Sequence, residues 1–153
     1  NENIMKKIIW FTGQPGSGKT TLANALIHRL SKNHPDIKTV SVDGDDLRDI
    51  TINKDYSEKG RRQNISTAIS ITKFMQSKDY LVIASLVSPY KDLRDLLKKE
   101  RSVLEVYLFT SKKRGKENFF VENYESPTKD FLELDTGKKN IEECVDEILS
   151  VYW

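Results

Sequence analysis

The chain has 153 residues, 37% of them hydrophobic, which is enough for one core and too little for two ordinary domains. Its 25 basic and 23 acidic residues leave a formal charge of +2, so composition favours neither nucleic acid nor an anionic membrane as a partner. The single cysteine, Cys144, excludes an internal disulfide, and its apolar helical surroundings predict a core position. We therefore predict a single domain over residues 1–153.

The longest apolar stretch, residues 81–87, is far shorter than the roughly 20 residues of a membrane-spanning helix. Residues 1–7 contain no apolar segment of the kind found in a signal peptide. We therefore predict a cytoplasmic protein that has no membrane partner.

The first predicted element is a strand at residues 7–12, followed directly by Gly-Gln-Pro-Gly-Ser-Gly-Lys-Thr at residues 13–20. This matches the pattern of a phosphate-binding loop, in which Gly, four residues, Gly and Lys precede Ser or Thr. Glycine clusters also form ordinary turns, but here a strand precedes the loop and the helical pattern of Leu22, Leu26 and Leu30 follows it. The sequence therefore predicts a nucleotide phosphate site at the start of a helix.

Residue types in this loop suit polyphosphate chemistry. Glycines allow successive backbone N–H groups to point at phosphate oxygens, the lysine reaches the β- and γ-phosphates, and the hydroxyl of Thr20 ligates Mg²⁺. The predicted nucleotide-binding residues are Gly13, Gln14, Pro15, Gly16, Ser17, Gly18, Lys19, Thr20 and Thr21.

A second predicted strand, residues 38–42, leads into Asp43-Gly44-Asp45-Asp46. An Asp/Gly turn is one interpretation, but a phosphotransferase has use for each carboxylate. We favour Asp45 as the base that accepts a hydroxyl proton and Asp43 as the metal-side group, although little in the sequence separates the two. No acidic residue closes the third strand at residues 81–86, which makes this pair more necessary.

Two helices flank the third strand in the predicted chain order. The helix before it has Ser57 as candidate N-cap and an apolar face formed by Ile65, Ile69, Thr72 and Met75. The helix after it is predicted to start at Ser88 and Pro89, with a face formed by Leu93, Leu96 and Leu97.

The remaining strands are predicted at residues 103–109 and 131–134, and a last helix at about 141–151. Asn140 and Glu143 form a candidate capping box for that helix. Its apolar stripe consists of Ile141, Val145, Ile148 and Tyr152. Residues 111–129 show neither the helical nor the strand periodicity of apolar residues, and we predict that they form a mobile lid. The alternation predicts an α/β fold, a three-layer αβα sandwich of the P-loop NTPase type with a mainly parallel five-stranded sheet.

Further polar residues follow the predicted strands, where ligands bind in such folds. Arginines and an asparagine lie beyond the second strand at Arg48, Arg61, Arg62 and Asn64, and they suit an anionic group. A solvated helix end is the alternative interpretation of Arg61 and Arg62. Ser88 is either an N-cap or a substrate contact.

These segments together resemble the adenylylsulfate (APS) kinase family. The resemblance covers most of the chain, and the combination of its segments is more specific than the phosphate loop alone. The matching segments are GQPGSGKTTLA at 13–23, Asp43-Gly44-Asp45-Asp46-Leu47-Arg48, Tyr56-Ser57, Arg61 with Asn64-Ile65, Val87-Ser88-Pro89-Tyr90 with Asp92 and Arg94, Tyr124-Glu125-Ser126-Pro127 and Leu134-Asp135-Thr136.

The resemblance implies transfer of the γ-phosphate of ATP to the 3′-hydroxyl of adenosine 5′-phosphosulfate, with ATP and Mg²⁺ as cofactors and a homodimer as a candidate assembly. It implies catalytic roles for Lys19, Asp43, Asp45 and Ser88, although direct in-line transfer needs no phosphorylated serine. It implies that the acceptor contacts Arg48, Tyr56, Arg61, Asn64, Val87, Ser88, Pro89 and either Phe119 or Phe120.

Two departures from the family pattern leave other functions open. The lid is shortened, with Lys112, Lys113, Arg114 and Lys116 either facing phosphate or solvated, and Ser66 and Thr67 replace an expected second arginine. An APS-kinase-like enzyme for another nucleotide, such as a cytidine diphosphate derivative, is therefore an alternative. A nucleotide-binding regulator or NTPase switch and a nucleic-acid kinase are alternatives from other classes, and the near-neutral charge speaks against the last.

Overall fold

The computed structural model describes residues 6–152, so residues 1–5 and 153 of the predicted domain, and with them most of the segment considered for a signal peptide, lie outside it. Its strands are β1 (Ile8–Thr12), β2 (Thr39–Asp43), β3 (Leu81–Ser85), β4 (Val103–Phe109) and β5 (Phe131–Asp135). They form one parallel sheet in the order β2-β3-β1-β4-β5. All five predicted strands are confirmed, with ends that differ by at most one residue.

Helices cover both faces of this sheet. They are α1 (Lys19–Asn33), α2 (Gly44–Thr51), α3 (Glu58–Ser77), α4 (Lys91–Glu100) and α5 (Ile141–Tyr152). In β1, Ile9 and Phe11 pack with α1 and α5, whereas Ile8 and Trp10 pack with α2, α3 and α4. The predicted αβα sandwich is therefore confirmed. Among residues 6–152, no helix has the length and apolar composition that crossing a membrane requires.

Two predicted helix caps are present. The Ser57 hydroxyl accepts a hydrogen bond from the Gly60 N–H at 3.4 Å, at the start of α3. Asn140 and Glu143 exchange hydrogen bonds of 2.9 and 2.8 Å, which form the capping box of α5. Each cap satisfies backbone donors that the first turn of a helix leaves without partners.

The apolar stripes are confirmed with two exceptions. In α5, Cys144, Val145, Ile148 and Tyr152 are buried, but Ile141, the first residue of the helix, is 45% exposed. In α4, Leu97 is buried and Leu96 is 49% exposed. The inner face of α4 follows the positions of Tyr90, Leu93, Arg94 and Leu97, so Leu96 is out of phase with it.

Helix α2 was not anticipated from the sequence. Asp43 is its N-cap, and its Oδ2 accepts hydrogen bonds from the N–H groups of Asp45 and Asp46 at 3.2 and 3.3 Å. The acidic cluster after β2 is therefore a helix start, where an aspartate cap and further acidic residues are favourable.

The predicted start of α4 at Ser88 and Pro89 is wrong, because the helix begins at Lys91 with Tyr90 as N-cap. A proline disfavours a helical conformation in the residue before it, and the φ of Ser88, which precedes Pro89, is 39° and therefore not helical. The Lys91 N–H is bound instead by the Glu125 carboxylate, 2.7 Å away. Ser88 is therefore not an N-cap, since a residue far along the chain supplies that bond.

Replacing Ile52 with glycine is expected to stabilise the fold. Ile52 ends α2 with φ 57° and ψ 37°, a left-handed conformation that costs a β-branched residue about 1–2 kcal/mol, and its side chain is 76% exposed. After the loss of chain entropy is subtracted, we expect a gain of about 0.5–1 kcal/mol, measured as a higher midpoint of thermal or urea unfolding.

Ile50→Gly is the matched control, because Ile50 is equally exposed at 76% but lies inside α2. It should destabilise by about 0.5 kcal/mol. If both variants destabilise to the same extent, the conformation of Ile52 is not strained.

Candidate active site

The predicted phosphate loop connects β1, the central strand, to α1. A Cβ atom on Gly13 would lie 2.4 Å from the carbonyl oxygen of Leu108, so the loop can pass β4 only with glycine there. Gly18 precedes α1 with a φ of 99°, which glycine adopts without strain. The turn between them is closed by a hydrogen bond of 3.1 Å from the Ser17 N–H to the Gln14 carbonyl. The loop therefore curves in front of the α1 N-terminus, the favourable end for anions.

The Lys19 side chain folds back across this loop. Its Nζ donates to the carbonyl oxygens of Gly13 and Gln14, both at 3.0 Å, with the Ser17 hydroxyl 3.5 Å away. Burial lowers the pKa of the Lys19 ammonium from 10.5 to about 8, although the nearby carboxylates of Asp45 and Asp43 oppose that shift. The cation is therefore held inside the loop by neutral groups that a phosphate could replace.

Nucleotide binding is expected to take up a proton at alkaline pH. In the free protein Lys19 titrates near pH 8, and bound phosphates raise its pKa by favouring the charged form. Affinity should consequently fall above about pH 8, by up to about tenfold per pH unit, whereas this group leaves affinity constant well below pH 7. Calorimetric titration with ADP at pH 8.5, in two buffers of different ionisation enthalpy, counts the protons.

Lys19→Arg is the control, since guanidinium keeps its charge throughout this pH range. Its nucleotide binding should show no proton uptake. Absence of proton uptake in the unsubstituted protein at pH 8.5 would contradict the low pKa.

Thr20 and Asp43, the two predicted metal ligands, lie next to each other. The Thr20 hydroxyl donates to Asp43 Oδ1 at 3.1 Å, while the other oxygen of the carboxylate caps α2. A hydroxyl and a carboxylate oxygen are ligands that suit Mg²⁺, and the cap holds the carboxylate in place. Asp45, in the first turn of α2, is exposed, and none of the described residues hydrogen-bonds to its carboxylate. The structure thus places one oriented and one available carboxylate beside Lys19.

Arg48 and Tyr56, two predicted acceptor contacts, lie against each other. The Arg48 guanidinium carbon is 4.0 Å from the Tyr56 ring centroid, and its Nη1 donates to the Asn53 and Asp55 carbonyls at 3.1 and 3.0 Å. The Tyr56 ring stays 62% exposed. Arg48 therefore shapes the loop after α2 and supports an exposed aromatic surface.

At the start of α3, the structure separates Arg61 from Arg62. Arg62 is engaged by Glu58 and Asp92 and stacks 4.3 Å from the Tyr90 ring centroid. The Arg61 side chain has no ion pair or hydrogen bond within the part of the chain that the structure describes. It is the available cation of the two, whereas Arg62 serves the contact between α3 and α4.

Asn64 retains unused hydrogen-bonding capacity. Its Nδ2 donates to the Gly44 carbonyl at 3.3 Å, but its Oδ1 is buried and without a partner among residues 6–152. A buried acceptor of this kind is costly unless a ligand or water donates to it. Asn64 therefore keeps its place among the predicted substrate-binding residues.

Ser88 is buried, with 2% of the residue exposed. Its hydroxyl accepts from the Trp10 indole at 3.1 Å and lies 3.0 Å from the Thr12 hydroxyl. Val87 is half-buried and Pro89 is buried, and their carbonyls accept from the Thr12 hydroxyl and the Glu125 N–H. In this conformation the Ser88 hydroxyl is engaged by core groups.

The predicted lid, residues 111–129, contains a single 3-10 turn, Glu117–Phe119. Phe119 and Phe120 are 68% and 45% exposed. From Val121 onward the segment is tied to the domain, because Val121 exchanges hydrogen bonds of 2.8 and 2.9 Å with the Gln14 side chain. The second half of the lid is therefore attached to the phosphate loop.

Arg114 ties the first half of the lid to the same loop. Its Nη1 donates to the Gly16 carbonyl at 3.1 Å, and its Nη2 donates to the Thr136 carbonyl at 2.8 Å. A cavity of about 760 Å³ opens beside these residues, between the loop and the start of α5. Its lining includes Gly18, Thr21, Lys112, Arg114, Thr136 and Asn140. The sequence did not predict that Thr136 lines a cavity beside the phosphate loop, although Leu-Asp-Thr was part of the resemblance.

A phosphate loop with its lysine, a Thr–Asp pair at the end of β2 and a cavity beside the loop define the class of P-loop phosphotransferases. Within that class, residues 5–130 match the family model of adenylylsulphate kinase. The chain belongs to the adenylylsulphate kinase family.

Similar proteins agree with that assignment. The adenylyl-sulfate kinase of Prochlorococcus marinus is 34% identical over 94% of this chain and 81% of its own. That of Bacillus licheniformis is 32% identical over 93% and 82%. The structure of the Mycobacterium tuberculosis APS kinase with AMPPNP and APS has a TM-score of 0.83 at 22% identity, over 96% of this chain and 97% of the other, and shows the shared fold.

Proposed function

We propose that the protein phosphorylates the 3′-hydroxyl of adenosine 5′-phosphosulfate with ATP, which yields 3′-phosphoadenosine 5′-phosphosulfate and ADP. The observation that carries the proposal is the alignment of Lys19, Thr20 and Asp43 at the carboxyl ends of β1 and β2. Family membership supports the choice of acceptor, because the family's named members are adenylyl-sulfate kinases.

The loop at residues 13–20 would bind the phosphates of ATP, with the nucleoside in the cavity beside Thr136 and Arg114. Thr20 and Asp43 would hold Mg²⁺, which neutralises phosphate charge when bound. Lys19 would leave the carbonyls of Gly13 and Gln14 for the transferring phosphoryl group.

On the acceptor side, Asp45 would accept the proton of the 3′-hydroxyl. The hydroxyl oxygen would bond to the γ-phosphorus of ATP while the bond between that phosphorus and the bridging oxygen breaks, which releases ADP. Arg61, whose side chain is unpaired among the described residues, and Asn64, whose buried Oδ1 lacks a partner, would contact the acceptor, and Tyr56 and Phe119 offer exposed rings for its base. Direct transfer is favoured over a phosphorylated serine, since the Ser88 hydroxyl is engaged by Trp10 and Thr12.

The test is ADP release from ATP and Mg²⁺ with APS, with cytidine diphosphate nucleotides, and with no acceptor. Stimulation by APS alone, with the phosphorylated product identified by mass spectrometry, supports the proposal. Stimulation by another nucleotide only would overturn the acceptor and keep the class. Slow turnover that no acceptor changes would instead favour a nucleotide switch.

For assembly, we propose a homodimer, which is supported by the family resemblance. Light scattering on the purified chain measures its mass directly. A monomer at micromolar concentration would contradict the dimer and leave the proposed reaction untouched.

A further inference from the structure

Arg94 carries a charge in an unusual place. It lies on the inner face of α4 with 2% of its surface exposed, and its Nε donates to Glu105 of β4 at 2.8 Å, which is 1% exposed. A buried ion pair is a poor source of stability, because apolar residues of similar volume usually do as well. The other partners of the Arg94 guanidinium are therefore more informative than the ion pair.

Both remaining nitrogens of the guanidinium bind backbone carbonyls. Nη1 donates to the Ser88 carbonyl and Nη2 to the Glu125 carbonyl, each at 2.5 Å. The planar fork of an arginine sets the relative positions of groups that it binds at once. Arg94 thus connects β4, the loop after β3 and the end of the lid.

The loop that Arg94 holds is strained. Ser88 has a φ of 39°, which is rare for a residue other than glycine, and it precedes a proline. Such a backbone persists only when its surroundings hold it in place, and it often marks a functional site. The Thr12 hydroxyl, which donates to the Val87 carbonyl at 2.8 Å, also lies 3.3 Å from the Ser88 carbonyl.

The lid end that Arg94 holds is joined to the same loop. The Glu125 N–H donates to the Pro89 carbonyl at 3.0 Å, and the Glu125 carboxylate caps Lys91. Next to it, the Tyr124 hydroxyl lies 2.6 Å from the Thr12 hydroxyl. Loop 87–89 and residues 124–125 therefore form one unit with Arg94 behind them.

We infer that Arg94 is a positioning residue that sets the acceptor side of the site by fixing loop 87–89 against the end of the lid. The inference rests on the proposed function and on the acceptor contact of loop 87–89 that the family resemblance implies. None of the hydrogen bonds of the Arg94 side chain goes to the phosphate loop, so its removal should spare nucleotide binding.

Lys98 offers a matched control within the same network. One turn further along α4, its Nζ donates to the other Glu105 oxygen at 2.7 Å and to the Lys129 carbonyl at 2.9 Å. It shares the buried carboxylate with Arg94 but makes no hydrogen bond to residues 87–89. Lys98→Met therefore disturbs the ion network without releasing the strained loop.

The experiment compares Arg94→Met, Arg94→Lys and Lys98→Met in thermal unfolding, ADP affinity, and kcat and KM for the acceptor. We expect Arg94→Met to lower kcat/KM for the acceptor by about a hundredfold, because a displacement of the acceptor by about 1 Å costs this much. ADP affinity should stay within twofold of the parent. Arg94→Lys keeps the charge for Glu105 and should recover about tenfold of that loss. Lys98→Met should stay within threefold of the parent.

Equal losses in Arg94→Met and Lys98→Met, or an equal loss of ADP affinity, would overturn the inference. If Arg94→Met does not fold, Arg94→Lys decides, and an acceptor kcat/KM within twofold of the parent would overturn the inference. If the parent phosphorylates no acceptor, the proposed function fails instead, which the parent's own assay shows.

Discussion

Lys19→Met is expected to reduce kcat by about a hundred- to a thousandfold, the usual cost of removing one charged donor from a transition state. Lys19 is the cation inside the phosphate loop, where its ammonium now binds two carbonyls at 3.0 Å. Because charge moves to the bridging oxygen during transfer, loss of the Lys19 ammonium should affect the chemical step more than nucleotide binding. Steady-state turnover, together with ADP affinity by calorimetry, separates the two effects.

Lys32→Met serves as the control, because it makes the same change on an exposed residue in the last turn of α1. It should turn over like the parent. A Lys19→Met variant that retains more than a tenth of the parental kcat would show that the lysine does not contact the transferring group.

Asp45→Asn is expected to lower kcat by about a hundredfold or more, which is the lower end of the contribution of a general base. The amide keeps the size of the side chain and removes its basicity, so nucleotide affinity and the magnesium requirement should stay close to those of the parent. Asp43→Asn should behave differently, because it removes a carboxylate from the Thr20 pair while asparagine still caps α2. We expect it to raise the magnesium concentration that half-saturates turnover.

Asp46→Asn completes this series as a control in the same first turn of α2. It should change kcat by less than twofold, since Asp46 contributes only its N–H to the Asp43 cap. Exchange of the Asp43→Asn and Asp45→Asn effects would reverse the two assignments, and an unchanged kcat in Asp45→Asn would remove the base from the mechanism.

The strands were predictable because each is a short run that is rich in branched or other apolar residues. β1 and β3 are buried along their whole length, so their apolar runs are continuous. The caps of α3 and α5 were predictable for a related reason, since the capping residue and its partner lie three positions apart. Local physics determines these elements.

The start of α4 and the existence of α2 were not predictable in the same way. A carboxylate 34 positions further along the chain binds the first N–H of α4, and no pattern near Ser88 reveals that. Helix α2 is only eight residues long and begins at a glycine, so its periodicity is short, although its aspartate cap was visible. Sequence reasoning found the capping residue and assigned it only to metal chemistry.

The candidate site also has a part that local sequence predicts and a part that depends on contacts between distant segments. The phosphate loop is consecutive in the chain, and its glycine and lysine pattern is visible directly. Contacts from Arg114 to Gly16 and Thr136 join segments far apart in sequence, so spacing alone could not find them. Arg94 was part of the resemblance, but its burial was not predictable, because a charged residue on a helix ordinarily indicates an exposed face.

The Gln14 side chain has a consequence for how occupancy of the loop could be observed. Its amide meets the backbone amide of Val121 in a reciprocal pair, the way one rung joins neighbouring strands in a sheet. A ligand that reshapes the loop must strengthen or break this rung. Deuterium exchange at the Val121 amide would therefore report filling of the loop from 107 positions away in the chain, without an attached dye or spin label.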